Sequence, residues 1–469
     1  MDRISSGNEV LDSILDGGFP VNSINIIMGL PGTGKTILAE KIVFSNASEE
    51  RPALYIATVS EPLDKMLRYL QEFDYFEPGA VGDTIIYEDL SEVLRTKDLE
   101  AFVAEVISLV KEHNPSFLVI DSFKALHAFS SSAGEFRSAI SQLMNTLSSL
   151  AITSFLVGEY TSDEIASQPE FAVADGIVEL VLQKVGVKDV RYLRVVKERG
   201  SKFLNGEHAF KIDRSGLAVF QRVVTPPAAI SYELENKRDK TGVAVFDEMV
   251  ADGFWRGAST IVFGPPGSGK TLLGLHFIFK GIEMGHKGLI ATMEENPTQL
   301  HRIVAGFGWD MQKAVDDGML ELYYVSPVDI YIDEFVSTIS EMALRSGAER
   351  VMIDSLSDLV SSEPDVRRFR DFIYSLVQTM STKGISTYMT HEMNDLFATT
   401  VTTEFGISHM SDNIVLIHYL RQQSEIKRAI AIVKTRASTH DSRIRQFEIT
   451  SEGIRVGDVF SAADFSSST

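Results

Sequence analysis

The sequence predicts an α/β protein with two tandem P-loop domains, each a mostly parallel sheet covered by helices and continued by an antiparallel extension. Three observations carry that expectation. The phosphate-binding pattern G-x-x-x-x-G-K-S/T occurs twice. The pairs Ser6/Thr241, Asp12/Asp247, Phe19/Phe254 and Lys35/Lys270 share one offset, the 235 residues between the two lysines. Around the motifs, apolar strand-like runs alternate with helical stretches, as in parallel sheets joined by crossover helices.

Gly264-Pro265-Pro266-Gly267-Ser268-Gly269-Lys270-Thr271 follows a β-branched apolar run, 259–263, and leads through Leu272 into a helical run, 272–279. Gly29-Leu30-Pro31-Gly32-Thr33-Gly34-Lys35-Thr36 follows a similar strand at 24–28. Glycines in such a loop turn backbone N–H groups toward phosphate oxygens at a helix N-terminus. Lys35 and Lys270 are expected to reach the β- and γ-phosphates of ATP, and the Thr36 and Thr271 hydroxyls to ligate Mg²⁺. An octet of this kind arises by chance in roughly one or two chains per hundred of this length. Two, each between a strand and a helix, are not accidental.

The 469 residues suit two or three domains, and each copy is about half the chain. No apolar run is long enough to span a membrane. The start, Met1-Asp2-Arg3-Ile4-Ser5, lacks the regions of a signal peptide. A cytoplasmic protein without membrane contact is therefore expected. The absence of cysteine excludes disulfides and thiolate zinc sites. A formal charge of −21 repels phosphodiester backbones, so nucleic acid is not an expected partner.

Along the first copy, a second strand at 53–58 ends in Ser60-Glu61, and its counterpart at 288–293 ends in Glu294-Glu295. A carboxylate there lies at the sheet edge where nucleotides bind, positioned to orient or deprotonate the attacking water. The other reading is a surface acid in a helix's first turn. Apolar strands then end in Asp121 and Asp354, the arrangement of a Walker B aspartate that holds Mg²⁺. Asp121 lies 86 residues after Lys35 and Asp354 lies 84 after Lys270, so the spacing repeats. Late in each copy, closely spaced strands (176–182 and 192–196; 413–419 and 428–433) signal the antiparallel extension. There, Lys197 and Arg199, and Lys434 and Arg436, can share a strand face. They suit either a grip on a phosphate from a neighbouring subunit or a solvated edge strand. Pro226-Pro227 breaks both strand and helix. The expected domains are residues 1–225 and 239–460, with a linker at 226–238 and a tail at 461–469.

Tandem RecA-like domains, Ile4-Ser5-Ser6-Gly7, the acids after the second strand and K-x-R near each domain's end resemble the KaiC family. This is the ATPase and autokinase family of the cyanobacterial circadian clock, and the resemblance runs from Arg3 to about Phe460. It implies a homohexamer of two stacked rings, with ATP and Mg²⁺ between subunits. The P-loop would lie on one side of each nucleotide and Lys197, Arg199, Lys434 and Arg436 on the other. It matches Glu61 and Glu295 to the second member of the family's acidic pair, with Ser60 replacing the first in the N-terminal copy. Ser408 matches a family phosphorylation site, whose neighbouring Thr is His409 here, and Thr403 matches an auxiliary Thr. A single-site autokinase is implied rather than a two-site cycle. The family also uses a regulatory protein partner, but the nine residues after Phe460 are too short for the long tail that binds one. Two other classes stay open: an ATP-dependent motor acting on DNA, which the acidity opposes, and a signalling scaffold that ATP assembles with little turnover, which Ser60 favours for the first ring.

Overall fold

Ile24–Gly29 and Ser259–Gly264 are buried along their whole length. Each is an interior strand of a nine-stranded sheet, and interior parallel strands with helices on both faces leave no side for polar residues. The computed structural model describes residues 2–58, 63–185, 188–222, 236–363, 365–393, 395–396, 409–422 and 425–461. They fall into two units, Met1–Arg222 and Val223–Thr469. The expected linker at 226–238 falls mostly outside the described residues, as do Glu61, Thr403 and Ser408.

In the first unit the sheet runs 216–220, 208–213, 188–198, 176–185, 24–29, 153–158, 117–121, 53–57, 85–89. The strands from 176–185 onward are parallel, and the three before them are antiparallel. The second unit repeats this order with 453–459, 445–450, 425–435, 413–422, 259–264, 386–392, 350–354, 288–292 and 320–324. The fold class is thus the one the sequence predicts: two mixed, mostly parallel sheets covered by helices.

Alternation along the first P-loop strand feeds two cores. Ile26 and Met28 pack with Leu118, Ile120 and Leu156, while Ile27 packs with Leu38 and Ile42 on the opposite face. Each such aliphatic side chain contributes about 1.5–3 kcal/mol on burial. The covering helices carry apolar stripes at helical spacing. In Val366–Thr382 the buried stripe is Phe369, Phe372, Ile373, Leu376 and Met380, and Asp365 caps the helix by accepting from the N–H groups of Arg367 and Arg368.

Two parallel edge strands, Ile85–Asp89 and Leu320–Tyr324, escape the sequence reading. Each is only five residues long, carries acidic residues and is half-buried, so it lacks the continuous apolar run that marks the interior strands.

Candidate nucleotide site

Each P-loop bends because its glycines take backbone shapes closed to other residues. Gly32 and Gly34 have φ of 77° and 99°, and Gly267 and Gly269 have 69° and 107°. At Gly264 a Cβ would lie 2.5 Å from the Ile417 carbonyl oxygen, so the strand end tolerates no side chain. The helices Lys35–Asn46 and Lys270–Glu283 begin at these loops, which aims their free N–H groups into the concavity.

The P-loop lysine, the hydroxyl after it and the strand-end aspartate are arranged alike in both units. Lys35 Nζ donates to the Leu30 carbonyl at 2.9 Å, and Lys270 Nζ to the Pro265 carbonyl at 3.0 Å. Thr36 Oγ1 donates to Asp121 Oδ2 at 2.7 Å, and Thr271 Oγ1 to Asp354 Oδ2 at 2.7 Å. Sequence reasoning expected these residues to act together, and the fold brings them together across 85 and 83 residues of chain. In both units the peptide bond after the aspartate is cis. In the first unit a cavity of about 420 Å³, a normal size for a ligand site, is lined by Pro31, Gly32, Lys35, Thr36, Asp121 and Glu159, among others.

Burial sets the electrostatics. It pushes Asp121 and Asp354 upward, against the hydroxyls and lysines that hold them charged. It pushes Lys35 and Lys270 downward, opposed by carboxylates: Glu159 and Asp121 for Lys35, and Glu392, Glu294, Asp354 and Glu295 for Lys270. Two of these, Glu159 and Glu392, went unnoticed in the sequence. Each stands at the C-terminal end of the strand beside the P-loop strand, and the signal was the one used for Asp121, an apolar strand ending in an acid.

Glu295 is pushed up to about 7, by burial first and then by Asp354 and Glu294. Glu294 is raised by burial, with Asp354 and Asp358 adding. Strand register bears on their N-terminal counterparts. Ala57 pairs with Asp121 as Thr292 pairs with Asp354, and the Thr58 and Met293 N–H groups bond the two aspartate carbonyls alike. The two second strands thus keep matching register as far as Thr58 and Met293, and Ser60 and Glu61 lie outside the described residues.

The Lys-x-Arg pairs sit elsewhere. The strands end at Glu198 and Thr435, so Arg199 and Arg436 follow them rather than lying on them. Arg199 donates to Asp175 Oδ1 at 3.1 Å and to the Ala172 carbonyl, and Lys197 donates to the Phe171 carbonyl. In the second unit Lys434 donates to the Ser411 carbonyl, and Arg436 donates to the His409 carbonyl and lies 3.5 Å from Asp412. Asp175 accepts from Ile24 N and Asp412 from Ser259 N, the first residues of the P-loop strands. Each arginine therefore lies at the opposite sheet end from its own P-loop, about 16 Å along the strands at 3.3 Å per residue, while Lys197 and Lys434, level with Ile26 and Ile261, lie about 10 Å along them. The guanidinium groups of Arg199 and Arg436 remain more than half exposed.

Mixed sheets of this order, with a P-loop lysine, a hydroxyl and a buried aspartate converging at the strand ends, define a tandem RecA-like P-loop protein. The family model of the KaiC ATPase matches residues 4–224 and 239–459, and the chain belongs to the KaiC ATPase family. It is similar to the circadian clock oscillator protein KaiC of Picosynechococcus sp., 27% identical over 466 residues, covering 96% of this chain and 89% of the relative. It is also similar to circadian clock oscillator protein KaiC 1 of Synechocystis sp., 27% identical over 472 residues, 98% of this chain and 89% of the relative. Circadian clock protein KaiC3 of the same organism is 26% identical over 474 residues, 98% and 92%. Among the described residues no helix is long and apolar enough to cross a membrane.

Proposed function

We propose that this KaiC-family ATPase hydrolyses Mg-ATP at sites completed by a neighbouring copy, in a homohexamer of two stacked rings. The observation that carries the reading is the distance between each P-loop and its own Lys-x-Arg. An arginine about 16 Å along the strands from its own P-loop suits a nucleotide held by another copy. Residues 29–36 and 264–272 would cradle the phosphates, with Lys35 and Lys270 leaving their loop carbonyls for phosphate oxygens. Lys197, Arg199, Lys434 and Arg436 would neutralise charge from across the interface.

The residues present fit Mg²⁺. Thr36 with Asp121, and Thr271 with Asp354, offer hard oxygen donors, while Ser268 Oγ is buried without a partner beside the second pair. Bound there, the ion would supply positive charge to offset that of the phosphates. Glu295, raised to about 7, holds the proton affinity of a general base near neutrality, with Glu294 beside it. Glu61 remains the sequence's candidate for this role in the first ring. Ser60, standing where the second copy has the acid Glu294, favours a second reading of that ring, in which ATP mainly assembles the rings. Ser408 is a candidate for autophosphorylation, with Glu294 and Glu295 as base. A clock-related or other signalling role, with a protein partner, follows the relatives.

The test combines sedimentation with ATPase assays on the parent, Lys35→Ala and Lys270→Ala, with intact-mass analysis after incubation with Mg-ATP. ATP-dependent hexamers that lose turnover in Lys270→Ala support the reading. Turnover by a dilute monomer would sink it. A mass increase of one phosphate, absent in Ser408→Ala, would add the autokinase.

A further inference from the structure

The two units hold their Walker aspartates differently. In the second unit Thr390 donates to Asp354 Oδ1 while Thr271 takes Oδ2. Thr390 pairs with Val262 of the P-loop strand as Val157 pairs with Ile27, so the first unit has Val157 where that hydroxyl would be. There, Tyr55 on the other neighbouring strand donates to Asp121 Oδ2 at 3.1 Å.

Behind Tyr55 stands a polar cluster with no equivalent in the second unit. Glu40 lies one helical turn beyond Thr36 on the same face and is wholly buried. Tyr87, the cross-strand partner of Tyr55, donates to Glu40 Oε2 at 2.8 Å, and the two rings lie 5.2 Å apart. Glu40 Oε1 is buried with no hydrogen-bond partner. The Tyr55 hydroxyl faces both acids, donating to Asp121 and lying close enough to Glu40 to steady its charge. By strand register and helix offset, the second unit fills these places with Leu275, Ile290 and Leu322. An apolar filling of this fold therefore exists, and a buried acid is a costly departure from it.

We propose that Tyr55, backed by Glu40 and Tyr87, is a positioning residue that aims the Asp121 carboxylate for metal binding in the first unit only, replacing the hydroxyl that Thr390 supplies in the second. The tyrosine hydroxyl has one proton. With Glu40 protonated and neutral, it does not compete for that proton, and Tyr55 gives it to Asp121, leaving Asp121 ionised and fixed in direction. Burial, which pushes Glu40 up to about 8, agrees with that state. The inference rests on the reading of Asp121 as a Mg²⁺ ligand.

The test uses the full chain carrying Lys270→Ala, which silences the second nucleotide site, and measures binding of mant-ADP against Mg²⁺ concentration. Tyr55→Phe and Glu40→Leu should each raise the Mg²⁺ needed for half-saturation about tenfold or more, the usual effect of losing a partner behind a metal ligand. Adding Val157→Thr to Tyr55→Phe should restore most of the loss by recreating the other unit's contact. Metal-free melting temperatures should not fall in parallel. If Glu40→Leu does not fold, Tyr55→Phe, which deletes one hydroxyl, carries the test. Unchanged Mg²⁺ dependence in Tyr55→Phe, or no recovery with Val157→Thr, overturns the proposal. Failure of the Lys270→Ala chain to take up mant-ADP at any Mg²⁺ concentration brings down the parent reading and the proposal with it.

Discussion

Replacing Glu40 by Gln should change how the first unit's stability responds to pH. The side chain is fully buried beneath the P-loop helix, and burial lifts its carboxyl from an ordinary value of 4.5 to about 8. A carboxyl raised on folding holds its proton more tightly in the native state. Its stabilising share is complete below pH 4.5 and is lost as pH rises toward 8. The loss runs at about 1.4 kcal/mol per pH unit and reaches about 5 kcal/mol above pH 8. Between pH 5 and pH 8 the parent should lose roughly 3–4 kcal/mol that Glu40→Gln keeps, since the amide neither titrates nor changes the shape. Tryptophan fluorescence would miss this, because Trp255 and Trp309 both lie in the second unit. Native-state hydrogen exchange on peptides spanning residues 24–29 and 117–121 reads the correct unit, with peptides 259–264 and 350–354 as the internal control. Equal pH dependence in parent and variant would show that Glu40 is charged and solvated in the folded chain, and the argument that a neutral Glu40 leaves the Tyr55 proton to Asp121 would fall.

Turnover at the second site should climb about tenfold per pH unit up to about pH 7 and then level, as Glu295 gives up its proton. Glu295→Gln should flatten that profile at a low rate, and a surviving slope would assign the base elsewhere. Arg436→Ala should slow hydrolysis by about 10³-fold, the low end for an arginine supplied in trans, while leaving the domain's melting temperature within a few degrees. A loss of folding instead would mark its bonds to the His409 carbonyl and Asp412 as structural. Leu38→Ala, in the core beneath the first P-loop helix, should cost about 2–5 kcal/mol and weaken nucleotide binding at the first site alone, measurable by denaturant titration and mant-ADP binding.

What the sequence made legible follows from how chemistry is written into it. The interior strands are continuous apolar runs, and the P-loops and Asp121 and Asp354 are fixed by residue type at their ends, so both could be read and then checked by the repeat. The edge strands at 85–89 and 320–324 are only half-buried, so no continuous apolar run marks them. Glu159 and Glu392 carried the right local signal but matched no motif. The Tyr55–Glu40–Tyr87 cluster was hidden for a stronger reason. Its members come from a helix and two strands, and only the strand register shows that the second copy answers them with Ile290 and Leu322. The Lys-x-Arg pairs were legible as residue types, but the sheet end near which they stand was a property of topology alone.

That placement has a consequence for inheritance. If, as proposed, each second-ring site takes its arginine from a neighbour, a chain carrying Lys270→Ala keeps a sound Arg436 to lend, and one carrying Arg436→Ala keeps a sound P-loop to receive it. Each alone would form rings of broken sites. In rings drawn at random from equal parts of both, about a quarter of the second-ring interfaces would unite an intact P-loop with an intact arginine, because head-to-tail contacts take one surface from each neighbour. Two dead variants would then make a working mixture, and one gene would behave in a complementation cross as though it were two.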